Sequence, residues 1–557
     1  MSRREPLNPM SSHALYKSLR VPLIFSIVVS LTISFLAVGR VSATPARSSY
    51  DYKFFVDENG FTRATVDFLS FEAQGSSWIF VPDSQNWTRN LLSGKILQSE
   101  LVDTKEVANI ELAPFYKAFS FSFKSDGSFK ITFQFNMSVG AIVIEPLGMF
   151  FSPQVGFEED SSGRAEVFLP KNSRLVKALA LGSAISYGPT EKTPDYALFN
   201  LRENIVRLQI EFKTSVSKPE LITIKRGIFT FQTVNRYERH ASDVLDLFDT
   251  AYRSFTIFFD VTLESVDLEF FIPEFNTILS VGGYVLFSGG KVGDIHINLF
   301  FVRSVKGVLE VIALHELIHH FLLKAGLSPD IFLWFHEGMA QYVSIETADG
   351  MGYKEGASWE RDKLENSALE LLQLTGGNFH FLQGWKPGTQ PANIGAYYPA
   401  SYYVVSTLAK QYGGLNYYER FFKLLKGVEV EDNSILAYYL SLAANASVVP
   451  VLRNWGFNMD DLYAPPTLVD EGERAVHGLN PVFQPYKFLA EYLHRQALTS
   501  LERGDVEKAN RYLETAIFIA RYAPLLTVIT LAVILVAIIY AFERRKAPSK
   551  PTASNSW

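Results

Sequence analysis

The chain has 557 residues, 52 Lys and Arg against 58 Asp and Glu, a formal net charge of −6 and 48% hydrophobic residues. That length exceeds one hydrophobic core and predicts two or three domains, while the apolar content excludes a disordered protein and the weak charge gives no reason to expect a nucleic-acid partner. Cysteine is absent, which excludes disulfides, thiolate zinc sites and thiol catalysis and leaves His, Asp and Glu to hold any metal.

Residues 1–20 are basic and precede an unbroken apolar run, Val21–Val38, followed by the small-residue pattern Val41-Ser42-Ala43. Residues 1–43 therefore read either as a cleaved secretory signal or as an uncleaved N-terminal anchor. At the other end Leu525–Phe542 is a second apolar stretch, without a charged residue, and is followed by Glu543-Arg544-Arg545-Lys546. It is long enough to span a bilayer. Basic flanks stay on the cytoplasmic side, so both readings of the first segment put residues 44–523 outside, at the cell membrane.

Between the two ends, residues 44–235 are strand-rich. Asn59-Gly60 sits between two strand-like runs and predicts a type I′ hairpin. Phe119, Phe121 and Phe123 alternate with polar residues, as do Phe129, Ile131, Phe133 and Phe135 beyond Ser125–Ser128, which predicts a second hairpin. Ile205–Phe212 and Leu221–Phe231 continue the pattern, giving an antiparallel β-sandwich-like domain without a catalytic constellation. Asn86, Asn136 and Asn445 head N-glycosylation triplets, which suit an outward-facing chain. Ala241–Phe255 has helical spacing, and strand-like runs follow at Thr256–Val261 and Val266–Ile272. The glycine-flanked strand around Gly282–Gly290 is either an exposed edge able to pair with an extended peptide or an ordinary hairpin.

Val308–Ser344 holds four of the ten histidines. Val308–Lys324 predicts a helix closed by Gly326, and Ser328-Pro329 opens the next. In His315-Glu316-Leu317-Ile318-His319 the two imidazoles lie one turn apart on one face, spaced to grip one metal ion, and Glu316 can reach a metal-bound water as general base. The helix is apolar on most sides, so both histidines are expected to be buried and to need partners. Glu337 lies within the next apolar helix, where an unpaired carboxylate is costly. His315, His319, Glu337 and one water would complete an open tetrahedral site for one Zn²⁺ per chain. His320 and His336 point about 100° away from their neighbouring ligands and read as supporting or solvated groups. His296 reads as structural. Residues 355–460 are mainly helical, and Pro485–Tyr522 forms a helical pair broken at Gly504-Asp505, whose second half is similar to one helix of a tetratricopeptide unit.

HELIH followed by Trp334-Phe335-His336-Glu337-Gly338-Met339-Ala340 resembles the gluzincin zinc metallopeptidases. The resemblance is nearest to the peptidase MA-like group and the M1 aminopeptidases, whose pattern is HExxH, about 18 residues, then WxxEGxA. It covers roughly residues 240–460, and the gap of 17 residues here is one shorter than that form. It implies that His315, His319 and Glu337 bind zinc, that Glu316 is the base, and that Tyr398 in Ile394–Gly414 donates to the oxyanion. Tyr397, Tyr402 and Tyr403 stand close by, and an aromatic helix face is the alternative for the whole group. The chain departs from the family in two places. No glutamate-bearing segment upstream matches the clamp for a substrate's free amino terminus, which favours endopeptidase over aminopeptidase activity. Gln341 stands where thermolysin-like relatives orient a ligand histidine with aspartate.

These readings together predict an α+β chain. Residues 1–43 are signal or anchor, 44–235 the β-rich domain, 236–465 a thermolysin-like, mainly helical catalytic domain, 466–523 a helical hairpin or stalk, 524–542 a transmembrane helix and 543–557 a cytoplasmic tail. The predicted activity is hydrolysis of a peptide or protein substrate. The alternative is a non-catalytic surface scaffold that retains the fold.

Overall fold

The computed structural model describes residues 47–546 except 84–85, 109–115, 289, 304–305, 390 and 504. The expectations for residues 1–43 and for 547–557 lie outside them. The N-terminal part is built from three sheets. A seven-stranded sheet runs, in spatial order, Glu191–Thr193, Tyr196–Asn200, Ser162–Phe168, Ser48–Val56, Thr62–Ser70, Phe129–Met137 and Trp87–Ser93. A five-stranded sheet is centred on Ile205–Lys213, and a three-stranded sheet on Tyr116–Lys124. All three send side chains into one core, among them Phe54, Val66, Ile131, Phe150, Ile210, Phe121 and Phe123.

Three details differ from the sequence reading. Ser48–Val56 pairs in parallel with Ser162–Phe168, so the domain is not purely antiparallel. The loop at Asn59-Gly60 is not type I′, because Gly60 has φ +85° while Asn59 has no positive φ. Asp57 Oδ1 instead accepts from the backbone N–H of Asn59 and Phe61, which favours a longer turn closed by a left-handed glycine. Tyr116–Lys124 and Phe129–Met137 form no hairpin at all, since the first pairs with Gln74–Pro82 and Lys95–Val102 and the second with Thr62–Ser70 and Trp87–Ser93. The chain crosses from one sheet to the facing one at residues 125–128. Phe123 stacks on Phe129 at 4.3 Å and Phe119 meets Phe133 at 5.3 Å across the core. The alternation identified the buried face correctly; burial of two phenylalanine faces against each other decided the partner.

Leu221–Arg226 and Phe229–Val234 belong to a further five-stranded sheet, continued by Val266–Phe271, Lys291–Asn298 and the edge strand Gly283–Ser288. Helix α1 (Glu238–Phe259) supplies the crossover between the parallel strands Phe229–Val234 and Val266–Phe271. It absorbs Thr256–Phe259, expected as strand, because Phe255 and Phe259, one turn apart, both pack on Phe321. Helices α2 (Val308–Lys324) and α3 (Pro329–Gly350) follow as a hairpin, turned through Gly326 at φ +90°. Pro329 occupies the first turn of α3, although the Ser328 side chain makes no capping bond. Helices α4 (Lys354–Thr375), α5 (Ile394–Tyr412), α6 (Leu415–Leu424), α7 (Asn433–Ala444) and α8 (Val449–Asn454) complete this mainly helical unit. The large core of this unit joins its sheet to α1–α8.

A helical stalk closes the described chain. Helix α9 (Pro466–His477) and α10 (Gln484–Glu502) pack on α11 (Val506–Lys546), around Val476, Ala490, Ala516, Ala520 and Ala523. Asn510 donates to the Tyr463 carbonyl at 2.6 Å and ties the stalk to the helical unit. The far half of α11 has an 18-residue window of mean hydropathy 2.8 with none of it buried. It is one apolar helix long enough to cross a membrane.

Candidate metal centre

The α2–α3 hairpin brings three ligand-type side chains to one point. Helical spacing puts His315 and His319 on the same face of α2, with their Nε2 atoms 3.2 Å apart. Glu337 enters from α3, its Oε2 lying 3.1 Å from His315 Nε2 and 3.8 Å from His319 Nε2. Gly338 is what permits this approach. A Cβ there would stand 2.5 Å from the Ser401 carbonyl oxygen and 2.7 Å from Val405 on α5. Trp334, 1% exposed, anchors the start of the motif by donating from Nε1 to Asn433 Oδ1 at 3.1 Å and packing edge-on against Phe457.

The tautomers follow from the partners of His336, which is 0% exposed. Its Nε2–H donates to the Leu327 carbonyl at 2.8 Å in the turn between the helices. Burial pushes its pKa down to about 4, so the ring is neutral and Nδ1 is an acceptor. His319 Nδ1, 3.4 Å away and in a nearly parallel ring, is then the donor, and its Nε2 lone pair faces His315 and Glu337. His336 thus supports His319 and is not solvated. The sequence placed it next to Glu337 but gave no sign that the hairpin turn would supply its second partner. His320 is half-buried, its Nε2 out of contact with solvent and without a partner among the described residues, and takes no part in the cluster. His296 stacks on Tyr284 at 4.4 Å in the sheet.

A lone pair and a carboxylate converging with a second imidazole make a donor set that could hold a cation among them. Without one, burial works against charge on His315, but the hydrogen bond to Glu337 and the charges of Glu316 and Glu337 outweigh it and raise its pKa. Burial, with the neighbouring histidines, holds His319 well below its ordinary value. The ligand atoms of His315, His319 and Glu337 lie within 4.8 Å of one another, a group that could hold a metal ion. Two imidazoles and a carboxylate are the donor set of a borderline divalent cation with a position left open.

These groups open onto a cleft of about 1730 Å³ between the β-rich and helical units. Glu316 lines it, 5% exposed, its carboxyl pushed up to about 8 by burial and by Glu337, against the opposing charge of His315. The edge strand lines it from Gly283 to Phe287, and Gly283 lies so close to α2 that a Cβ would meet Glu316 Oε1 and the His296 carbonyl, each at 2.9 Å. The glycine-flanked segment is therefore both a hairpin strand and a sheet edge. Tyr398 also lines the cleft and, with Trp385 edge-on at 5.2 Å, is held near both carboxylates. The charge of Glu337, then burial, then Glu316 raise its phenol well above the ordinary range. Tyr397 packs on Phe381, Tyr403 on Trp455, and Tyr402 is 2% exposed inside the helical core. Gln341 lies at the cleft wall with Oε1 unpartnered among the described residues.

No family model matches the chain, and no curated protein does. Among solved structures, that titled native yeast LTA4 hydrolase is similar at 12% identity with a TM-score of 0.30, over 83% of this chain and 76% of that one. So loose a likeness transfers no residue's role.

Proposed function

We propose that the chain is a membrane-anchored zinc metallopeptidase of gluzincin type, thermolysin-like around the site, with its catalytic unit outside the cell. The observation that carries the proposal is the convergence of His315, His319 and Glu337 within 4.8 Å at the wall of a cleft that Glu316 and Tyr398 also line. A zinc ion held there would acidify a water molecule and polarise a peptide carbonyl. Glu316, next to the first ligand, takes the proton of the attacking water and delivers it to the leaving amine. Its buried carboxyl is ionised for that role once the neighbouring site carries positive charge. The Tyr398 O–H, kept protonated, donates to the carbonyl oxygen as negative charge develops there. The free edge of Gly283–Ser288 accepts an extended substrate by backbone pairing.

Endopeptidase activity is preferred. Among the described residues the carboxylates lining the cleft are Glu316, Glu337 and Glu360. Two of these have roles already, and Glu360 lies 3.4 Å from Lys363, so no free carboxylate is left to clamp an amino terminus.

Metal analysis of the purified full chain should find about one zinc. Glu316→Gln should retain that metal and lose cleavage of a mixed peptide library. A chain without zinc, or a Glu316→Gln chain that cleaves as well as the parent, removes the peptidase reading and leaves a non-catalytic scaffold.

A further inference from the structure

The cleft has a second chemical feature, away from the metal-ligand group and on the wall contributed mostly by the β-rich unit. Arg207 and Arg303 both line it, together with Tyr116, Phe151 and Gln154. Their guanidiniums gather around Phe151. Arg207 lies over the Phe151 ring at 5.0 Å, and Arg303 Nη2 donates to the Phe151 carbonyl at 2.7 Å.

A guanidinium carries five N–H donors, and among the described residues only Arg303 Nη2 finds a hydrogen-bond partner. Arg303 Nη1 and Arg207 Nε are buried and have no hydrogen-bond partner among the described residues. Among the described residues, no carboxylate forms an ion pair with either arginine or figures among the charges acting on it. Among the described residues the charged or ionisable neighbours that act on Arg303 are Tyr116, Arg207 and Tyr237, and Tyr116 acts on Arg207 as well. Burial lowers both, Arg303 to about 10, and a guanidinium in a protein keeps its charge at neutral pH. Gln154 stands directly opposite Arg207 across the paired strands Leu147–Gly156 and Ile205–Lys213, with its amide oxygen also unpartnered among the described residues. Two like charges held together in a half-buried cleft without a counter-ion are costly. They are also what planar, bidentate recognition of a carboxylate requires.

We propose that Arg207 and Arg303, with Gln154 and Tyr116 as further polar groups, form an anion subsite that takes a carboxylate of a peptide bound along the cleft. The carboxylate is either the free end of the peptide chain or an acidic side chain. The subsite deepens the peptidase reading by naming the substrate class, and in that respect rests on it. Its residues come from both units, since Tyr116, Gln154 and Arg207 lie on strands of the β-rich part and Arg303 on the turn that leads into α2. A bound carboxylate would therefore bridge the β-rich wall to the segment that starts the metal-ligand helix.

The test uses one decapeptide in four versions, with Glu or Gln at an internal position and a free or amidated carboxyl end. Binding to the full metal-free chain in detergent is followed by fluorescence anisotropy at low salt, so that no turnover intervenes. At least one carboxylate version should bind about tenfold or more tightly than the neutral one, the scale of a charge-assisted pair. Dependence on the amidation assigns the chain end; dependence on Glu against Gln assigns the side chain. Arg207→Gln should bring the preference close to unity while the neutral peptide binds as before, and Arg207→Lys should restore part of it. Arg207 makes no side-chain hydrogen bond among the described residues, so this variant is the one expected to fold; Arg303→Gln is the second. Equal binding of all four versions, or a preference that survives in both Gln variants, overturns the subsite. Zinc-loaded parent chain that cleaves all four peptides without charge preference sinks the subsite alone. Charge-dependent binding without any cleavage supports the subsite and sinks the peptidase reading.

Discussion

The His336 relay gives the sharpest prediction. Replacing His336 with Phe keeps a flat ring against His319 and Phe287 but removes both of its polar atoms. Two buried groups then lose their partners, the Leu327 carbonyl and His319 Nδ1–H. Each unsatisfied group costs about 1–3 kcal/mol, so the metal-free chain should lose about 2–6 kcal/mol, less whatever the larger apolar ring regains. The second effect falls on the metal. With nothing to hold the proton on Nδ1, His319 is free to carry it on Nε2 instead and withdraw its lone pair from the site. Loss of such an outer hydrogen bond weakens metal binding by about 10–100-fold. Zinc affinity measured by competition with a chromophoric chelator at neutral pH should show that loss, and urea unfolding of the metal-free chain the first. His336→Gln, which keeps a donor and an acceptor, should recover part of both. Zinc affinity in His336→Phe within about threefold of the parent would show that the tautomer is set elsewhere.

Three other outcomes follow from geometry already described. Gly338→Ala places a methyl 2.5 Å from a backbone oxygen that cannot turn aside, so α3 and α5 must separate at a cost of about 1–3 kcal/mol; an unchanged denaturation midpoint would refute the tight crossing. Tyr398→Phe should lower kcat by about 10²–10³ with little change in KM, as loss of one oxyanion donor does; a rise confined to KM would give the tyrosine a binding role instead. Burial pulls His320 and His336 to about 4 from an ordinary 6.5. The unfolded chain therefore protonates first, so the contribution of the neutral imidazoles is whole above about 6.5, falls through the window down to about 4 and is gone below it, a loss of about 3 kcal/mol for His336. In metal-free protein His320→Leu should flatten part of that fall, and identical pH profiles for the two chains would count against it.

Much of the candidate metal centre was legible because helix periodicity is rigid. Residues four apart on α2 share a face whatever surrounds them, and Glu337 in an apolar run announced a partner. What eluded the sequence depends on which surfaces meet. Alternating phenylalanines at 119–123 and 129–135 showed which sides were buried but not that they faced each other across two sheets. Thr256–Phe259 has strand-like composition, yet the contacts of Phe255 and Phe259 with Phe321 carry the helix through it. Four clustered tyrosines were equivalent by composition; only the rotation of α5 sends Tyr398 to the cleft and its neighbours into aromatic packing. Arg207 and Arg303 are 96 positions apart, and nothing local marks either.

Helix α11 carries one consequence beyond the site. At 41 residues it is about 60 Å long, roughly twice the hydrocarbon thickness of a bilayer. Its first half is packed in the stalk and bonded to the helical unit through Asn510, and its second half is the apolar stretch. Stalk and membrane segment are thus one rod, with Pro524 the sole proline within it. A chain anchored this way would not search the space around its anchor as one on a loose tether does. Its cleft would stand at a set height above the lipid, and under the proposed activity the substrates open to it would be those that present a susceptible bond at that height.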